Sequence, residues 1–313
     1  MIPNNLDITR TLMTTTIGYI GLGNMGGALA ARLQVRHPLL VHDRSEAAEQ
    51  RLADAGAAPC TLAGIGERCD VILLCLPTSD HVRTVLFGDG GLAGLARPGT
   101  LIIDQTTGDP AATRAMAADL AQRGVEMIDA PVSGGPRGAV AGTIAIMVGA
   151  TPAQYSRVEK ILHAISPNVF HAGELGAGQV IKLANNLLHH SQRLLSLEVM
   201  ALAVKNGVEP SKAAEIILAG SGRNYYMEHN MASRVLSGKL ASGFTLGLLY
   251  KDVRLATQLG ADSGVPMLFG NLAKEFYQLC INELDRETQV NAVALVVDRL
   301  AGTRIVPAEY SLE

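Results

Sequence analysis

The sequence predicts an α/β protein in two parts: a doubly wound parallel sheet over residues 1–176, then a long connecting helix and an all-α domain over 177–313. Three observations predict it. Short, continuous apolar runs alternate with helically spaced segments through the first half, as parallel strands joined by crossover helices do. Strand signals end at about Gly173. Residues 180–205 then carry apolar side chains on more than one helical face with no breaker. A chain of 313 residues also suits two domains of about 100–200 residues each.

Taken in order, residues 16–20 are a β-branched run and the first strand, and 24–35 have helical spacing. Residues 39–41 form the next strand and 45–55 the next helix, with Ser45 as its N-cap. The run 71–76 is almost wholly apolar, as a parallel strand covered on both faces is, and 101–104 and 125–129 repeat the strand pattern. An Ala-rich helix over 111–122 separates the last two. A loop of unusual composition over 133–138 precedes a further strand over 143–148. The long helix should close at Asn206-Gly207 with a left-handed residue. A helix with so little polar surface is expected inside the protein or against a second subunit. Helices follow over 211–218, 244–259, 268–282 and 290–300, and residues 307–313 read as a frayed tail.

Composition narrows the function. A net charge of −3 excludes an overall basic nucleic-acid binder, and no stretch reaches the 18 or more apolar residues of a membrane span. Cys60, Cys69, Cys75 and Cys280 show no metal-ligand or redox spacing, so neither a metal nor a disulfide framework is expected. The polar first sixteen residues lack the apolar core of a signal peptide, and a cytoplasmic location is expected.

The segment Gly21-Leu22-Gly23-Asn24-Met25-Gly26 matches G-x-G-x-x-G between a strand and a helix, where a dinucleotide fingerprint belongs. Gly21 allows the tight turn, Gly23 the approach of a pyrophosphate, and Gly26 close helix–strand packing. Asp43 stands 22 residues after Gly21, placed to accept from a ribose 2′-OH and to repel a 2′-phosphate. That favours NAD, although Arg44 beside it can pair with a phosphate and keeps NADP open. Leu76 ends one strand and Pro77-Thr78 follow it, as Thr106-Thr107 follow another, at the sheet end where a ribose and nicotinamide would lie. A purely structural turn and ordinary post-strand loops are the alternatives.

Ser133-Gly134-Gly135 can form a nest of backbone N–H groups for a carboxylate, or be a flexible loop. Lys182 and Asn186 form an i, i+4 pair on the long helix, with Asn185 adjacent. A lysine with its pKa lowered by burial can exchange an alcohol's proton, whereas most helical lysines are solvated. Arg223 suits either a second anionic substrate group or a surface ion pair.

Together these blocks resemble the β-hydroxyacid dehydrogenase family, which includes 3-hydroxyisobutyrate dehydrogenase and tartronate semialdehyde reductase. The likeness spans roughly residues 16–300, through 21–26, 129–143, 178–186 and Lys251-Asp252 in order. It implies a Rossmann-like first domain, NAD(P)-dependent oxidation of a small β-hydroxy acid or reduction of its semialdehyde, and a homodimer or homotetramer. It further implies Lys182 as the catalytic lysine, Asn186 as its support, and Ser133, Gly134 and Gly135 as the carboxylate loop. Thr107 and Lys251 fall on cofactor-side positions. Asp104-Gln105-Thr106-Thr107 departs from the usual serine at the third place, a conservative change. Imine reductases of the family lack the lysine, so Lys182 weighs against that alternative. The remaining alternative is a non-catalytic, dinucleotide-sensing interaction protein.

Overall fold

The structure, a computed structural model, describes residues 15–312, so the polar leader read as lacking a signal lies almost wholly outside the described residues, as does Glu313. Two compact units result: residues 15–106 with 111–175, and residues 107–110 with 176–312.

Along the first unit run β1 (Ile17–Ile20), α1 (Asn24–Gln34), β2 (Leu39–His42), α2 (Glu46–Ala53), β3 (Ala58–Pro59), α3 (Leu62–Arg68), β4 (Val71–Leu74), α4 (Ser79–Phe87), α5 (Leu92–Leu95) and β5 (Leu101–Asp104). It continues with α6 (Pro110–Ala121), β6 (Glu126–Asp129), β7 (Val132–Ser133), α7 (Gly135–Ala141), β8 (Ala145–Gly149), α8 (Pro152–His163) and β9 (Val169–Gly173). The sheet order is β3-β2-β1-β4-β5-β6-β8-β7, with β9 paired to β8. The first six strands are parallel in the doubly wound order. β8 then runs antiparallel to β6 and β7.

The apolar runs follow from this layering. Ile17, Tyr19, Val71, Leu73, Leu101 and Ile103 pack into one core, whereas Ile20, Ile72, Leu74 and Ile102 pack into another. Successive side chains face opposite sides of a pleated sheet, so a strand covered on both must be apolar throughout. Ser45 caps α2 by accepting from the Ala48 N–H, as expected.

The second unit is helical: α9 (Ala177–Lys205), α10 (Pro210–Ala219), a π-helical segment Met227–Val235, α11 (Leu246–Asp262), α12 (Leu268–Leu284), a 3₁₀ turn Val290–Ala292, and α13 (Val293–Ala301). The left-handed residue after α9 is Gly207, at φ +87°. No helix among the described residues is long and apolar enough to cross a membrane.

Three expectations need correction. The 133–138 loop is ordered as the end of β7 and the start of α7, because Gly134 and Gly135 take positive φ and turn the chain directly into a helix. The C-terminal tail is tied down: Asp298 accepts from the N–H groups of Ile305 and Val306, and Ser311 exchanges backbone bonds with Gly238 and Leu240. The third concerns α9. Its buried face carries Gln179, Lys182, Asn186, His190, Arg193 and Ser196, while Ile181, Leu188, Leu195 and Leu202 are exposed. The helix is amphipathic, with polar side chains turned inward.

Candidate active site

In the first unit, β1 delivers the chain to Gly21 at φ +91°, where a Cβ would meet the Cys75 carbonyl oxygen at 2.3 Å. At Gly26 a Cβ would meet the Gly21 carbonyl oxygen at 1.9 Å, so α1 packs this closely only as glycine. Gly23 differs: a Cβ there would meet nothing within 4 Å, and no side chain caps α1. Open space before an uncapped helix N-terminus fits a pyrophosphate, which the helix's leading N–H groups can bind. Leu22, Asn24 and Met25 complete the turn, and the Leu22 N–H donates to Asp43 Oδ2 at 2.6 Å. Asp43 Oδ1 accepts from the Ser45 N–H at 2.8 Å, which fixes the carboxylate at the end of β2, while Arg44 is exposed.

Leu76 donates its N–H to Thr106 Oγ1 at 3.0 Å, joining the two post-strand segments, and Pro77 is exposed beside it. Thr78 caps α4 and bonds His81, which gives its hydroxyl a structural task. Ser133 ends β7, and the successive positive φ values of Gly134 (+138°) and Gly135 (+67°) give the backbone bend expected of an anion-binding turn.

The second unit brings together Thr107, Lys182, Asn185, Asn186 and Lys251. Gln179 begins the constellation by accepting from the Gly108 N–H at 2.9 Å, which pins residues 107–110 to α9. Lys182, one turn on, is 7% exposed. Burial drives its pKa down from 10.5 to about 8; Asp252 opposes the shift and Lys251 adds to it. Asn186 donates to Asp252 Oδ2 at 2.7 Å, and Asn185 donates to Asn186 Oδ1 at 3.2 Å. Lys251 Nζ donates to the Thr107 carbonyl at 2.6 Å and stands 3.2 Å from Asp252 Oδ1. The set can hold an amine near neutrality and exchange a proton with an oxygen bound against it.

Arg223 lies elsewhere. It forms an exposed ion pair with Glu228 at 2.8 Å, the surface alternative raised from the sequence. The buried arginine is Arg193, three turns beyond Lys182 on α9, and spacing gave no reason to prefer it. Asp252 was also missed as Asn186's partner. Among the described residues no group of His, Cys, Asp and Glu could hold a metal.

Comparison with known proteins agrees across nearly the whole chain. Residues 16–173 match the NAD binding domain of 6-phosphogluconate dehydrogenase, and residues 176–297 match the NAD-binding domain of NADP-dependent 3-hydroxyisobutyrate dehydrogenase. The chain is 37% identical over 265 residues to 2-(hydroxymethyl)glutarate dehydrogenase of Eubacterium barkeri, covering 84% of this chain and 88% of that one. It is 36% identical to the NAD-dependent L-serine dehydrogenase of Pseudomonas aeruginosa, over 91% of this chain and 99% of the other. The solved Mycobacterium tuberculosis 3-hydroxyisobutyrate dehydrogenase with L-serine superposes with a TM-score of 0.80 at 29% identity, covering 91% and 99% of the two chains.

Proposed function

The chain belongs to the 3-hydroxyisobutyrate dehydrogenase family of NAD(P)-dependent β-hydroxyacid dehydrogenases, and on that premise we propose that Lys182 is the general acid/base for interconverting a small β-hydroxy acid and its semialdehyde. The observation that carries this is the buried Lys182 amine, held near pKa 8. A free amine at that pKa can take the hydroxyl proton at neutral to mildly basic pH, and the protonated form can return it.

The bound nicotinamide supplies one element of chemistry, accepting hydride from the carbinol carbon or giving it back. The chain's residues do the rest. Asn186, oriented by Asp252, holds the reacting oxygen beside Lys182 Nζ. Ser133 with the Gly134 and Gly135 backbone takes the substrate carboxylate. Lys251 and Thr107 contribute on the cofactor side. The Gly23 opening receives the pyrophosphate of NAD or NADP. The anchored Asp43 carboxylate supports NAD, since it accepts from a 2′-OH and repels a 2′-phosphate. Four unpaired cysteines suit a reducing compartment such as the cytoplasm. The exposed apolar residues of α9 support assembly as a homo-oligomer.

The test is a screen of β-hydroxy acids with NAD and NADP at matched low concentrations, on the natural protein and Lys182→Ala. Expected are NADH formation favoured over NADPH, and a turnover loss of about 10²-fold or more in the variant, with dinucleotide affinity kept. Retained turnover in Lys182→Ala overturns the assignment. Dinucleotide binding with no substrate turned over favours a sensing role instead.

A further inference from the structure

The glycine turn of the first unit leans on the end of β2. Gly21 donates its N–H to the His42 carbonyl at 3.0 Å, and Leu22 donates to Asp43 Oδ2 at 2.6 Å. The turn and the carboxylate beside it therefore share one support, residues 42 and 43. Asp43 lies just past the sheet, since the pairing of β2 with β1 ends at His42. A side chain from the next helix holds it there. Glu49 Oε1 accepts from the Asp43 N–H at 2.9 Å, and His42 Nδ1 stands 2.9 Å from the same oxygen. An ionised carboxylate only accepts, so the imidazole carries a proton on Nδ1.

Glu49 sits one turn inside α2, whose N-cap is Ser45. Helical side chains point back toward the helix N-terminus, so a glutamate at this place reaches over the cap to the preceding strand. A favourable charge at the start of α2 does not require that reach, because Glu46 supplies one from an exposed position. The Glu49 side chain is instead only 19% exposed, and one of its oxygens serves two donors. Those donors belong to the two residues that carry the glycine turn.

We infer that Glu49 is a positioning residue for the dinucleotide, which fixes the backbone of Asp43 so that the Asp43 carboxylate meets a ribose 2′-OH. The inference rests on the proposed ribose role of Asp43 and adds the residue that makes that role selective. Asp43 Oδ2 and Oδ1 already accept from the Leu22 and Ser45 N–H groups. A hydroxyl must use the lone pairs left over, and these keep one direction only while the residue's own backbone is held. Without the Glu49 bond the carboxylate can turn with its backbone. It then loses reach toward a 2′-OH and no longer stands against a 2′-phosphate. Glu49 acts through Asp43 and takes no part in the proton or hydride transfer.

The test is calorimetric titration of NAD and NADP into the full chain and into Glu49→Ala, Glu49→Gln, Asp43→Ala and the double variant of Asp43→Ala with Glu49→Ala, beside the unfolding midpoint of each. Asp43→Ala should weaken NAD binding about tenfold. Glu49→Ala should weaken it by about fivefold or more and lower the ratio of NAD to NADP affinity. Glu49→Gln keeps an acceptor oxygen and should retain most of both. On top of Asp43→Ala, Glu49→Ala should add little, because its effect passes through the carboxylate already removed. A lowered midpoint with NAD affinity unchanged, an equal loss in Glu49→Gln, or full additivity with Asp43→Ala overturns the inference. If Asp43→Ala leaves NAD affinity unchanged, the ribose reading has failed and the inference falls with it. If Asp43→Ala weakens NAD and Glu49→Ala does not, the role of Glu49 alone is refuted.

Discussion

Asn186 donates to Asp252 Oδ2 at 2.7 Å, joining α9 to α11 through two side chains that are both at least nine-tenths buried. The same carboxylate stands 3.2 Å from Lys251 and raises the Lys182 pKa against the pull of burial. Asp252 thus sets both an orientation and a charge. Asp252→Asn keeps the shape and removes the charge, so the Lys182 pKa should fall below its present value of about 8. The measurement is the pH profile of kcat/KM for hydroxy acid oxidation, whose inflection should move to lower pH. A profile that drops in height without moving would leave Asp252 a purely structural role.

The lysine's own titration makes a paired prediction. Oxidation needs the free amine and should rise with pH through about 8; reduction needs the ammonium and should fall through the same value. Stability follows the same group. A lysine whose folded pKa is lowered binds fewer protons folded than unfolded between about 8 and 10.5, so stability increases with pH across that window. Below it the buried ammonium costs on the order of 3 kcal/mol. Lys182→Met should therefore be inactive yet unfold at a higher midpoint than the natural protein at pH 6, with the gap closing as pH rises from 8 to 10.5. Equal midpoints at pH 6 would contradict a buried charge.

What the sequence made legible was what lies close in sequence or repeats along one element. The glycine turn is six residues long, and Asp43 follows at the distance set by one helix and one strand. Lys182 gained weight only from the blocks around it. The inward polar face of α9 was hidden because periodicity shows that a helix has two unlike faces without saying which is covered. Leu188 and Leu195 sit on a helix expected inside the protein or against a second subunit, and within the single chain they are exposed. Arg223 and Arg193 are alike as letters, and only packing separates a surface ion pair from a buried guanidinium. Asp252 reaches Asn186 across 66 residues, a contact no local pattern encodes. A polar recurrence at 182, 186, 190 and 193, at helical spacing, was the one available signal for the buried stripe.

The fingerprint glycines should separate by experiment. A methyl at Gly26 would collide with the Gly21 carbonyl at 1.9 Å, so Gly26→Ala must move α1 and should cost about 1–3 kcal/mol of stability. A methyl at Gly23 meets no protein atom within 4 Å, so Gly23→Ala should leave unfolding close to that of the natural protein. It should instead weaken dinucleotide affinity by about tenfold or more, because the methyl occupies the space a pyrophosphate needs. Calorimetric titration with NAD alongside thermal unfolding checks both. Unchanged affinity in Gly23→Ala would mean that the dinucleotide does not approach this turn.

Ile181, Leu188, Leu195 and Leu202 recur every seventh residue along α9, and each is between 47% and 65% exposed. A seven-residue apolar repeat keeps one seam of a helix facing a partner. Leu268, Phe269 and Leu272 add further exposed apolar surface on α12, with Phe269 83% exposed. Exposed apolar surface of this kind marks an interaction site, and a second copy of the same chain presents the matching seam. Leu188→Glu together with Leu195→Glu places two carboxylates in that seam, where desolvation without a counter-charge opposes association. Light scattering after size exclusion should give an oligomer for the natural protein and a monomer, or a weakened, concentration-dependent equilibrium, for the double variant. An unchanged oligomer would move the interface away from α9, and a natural protein that runs as a monomer would leave the seam without its partner.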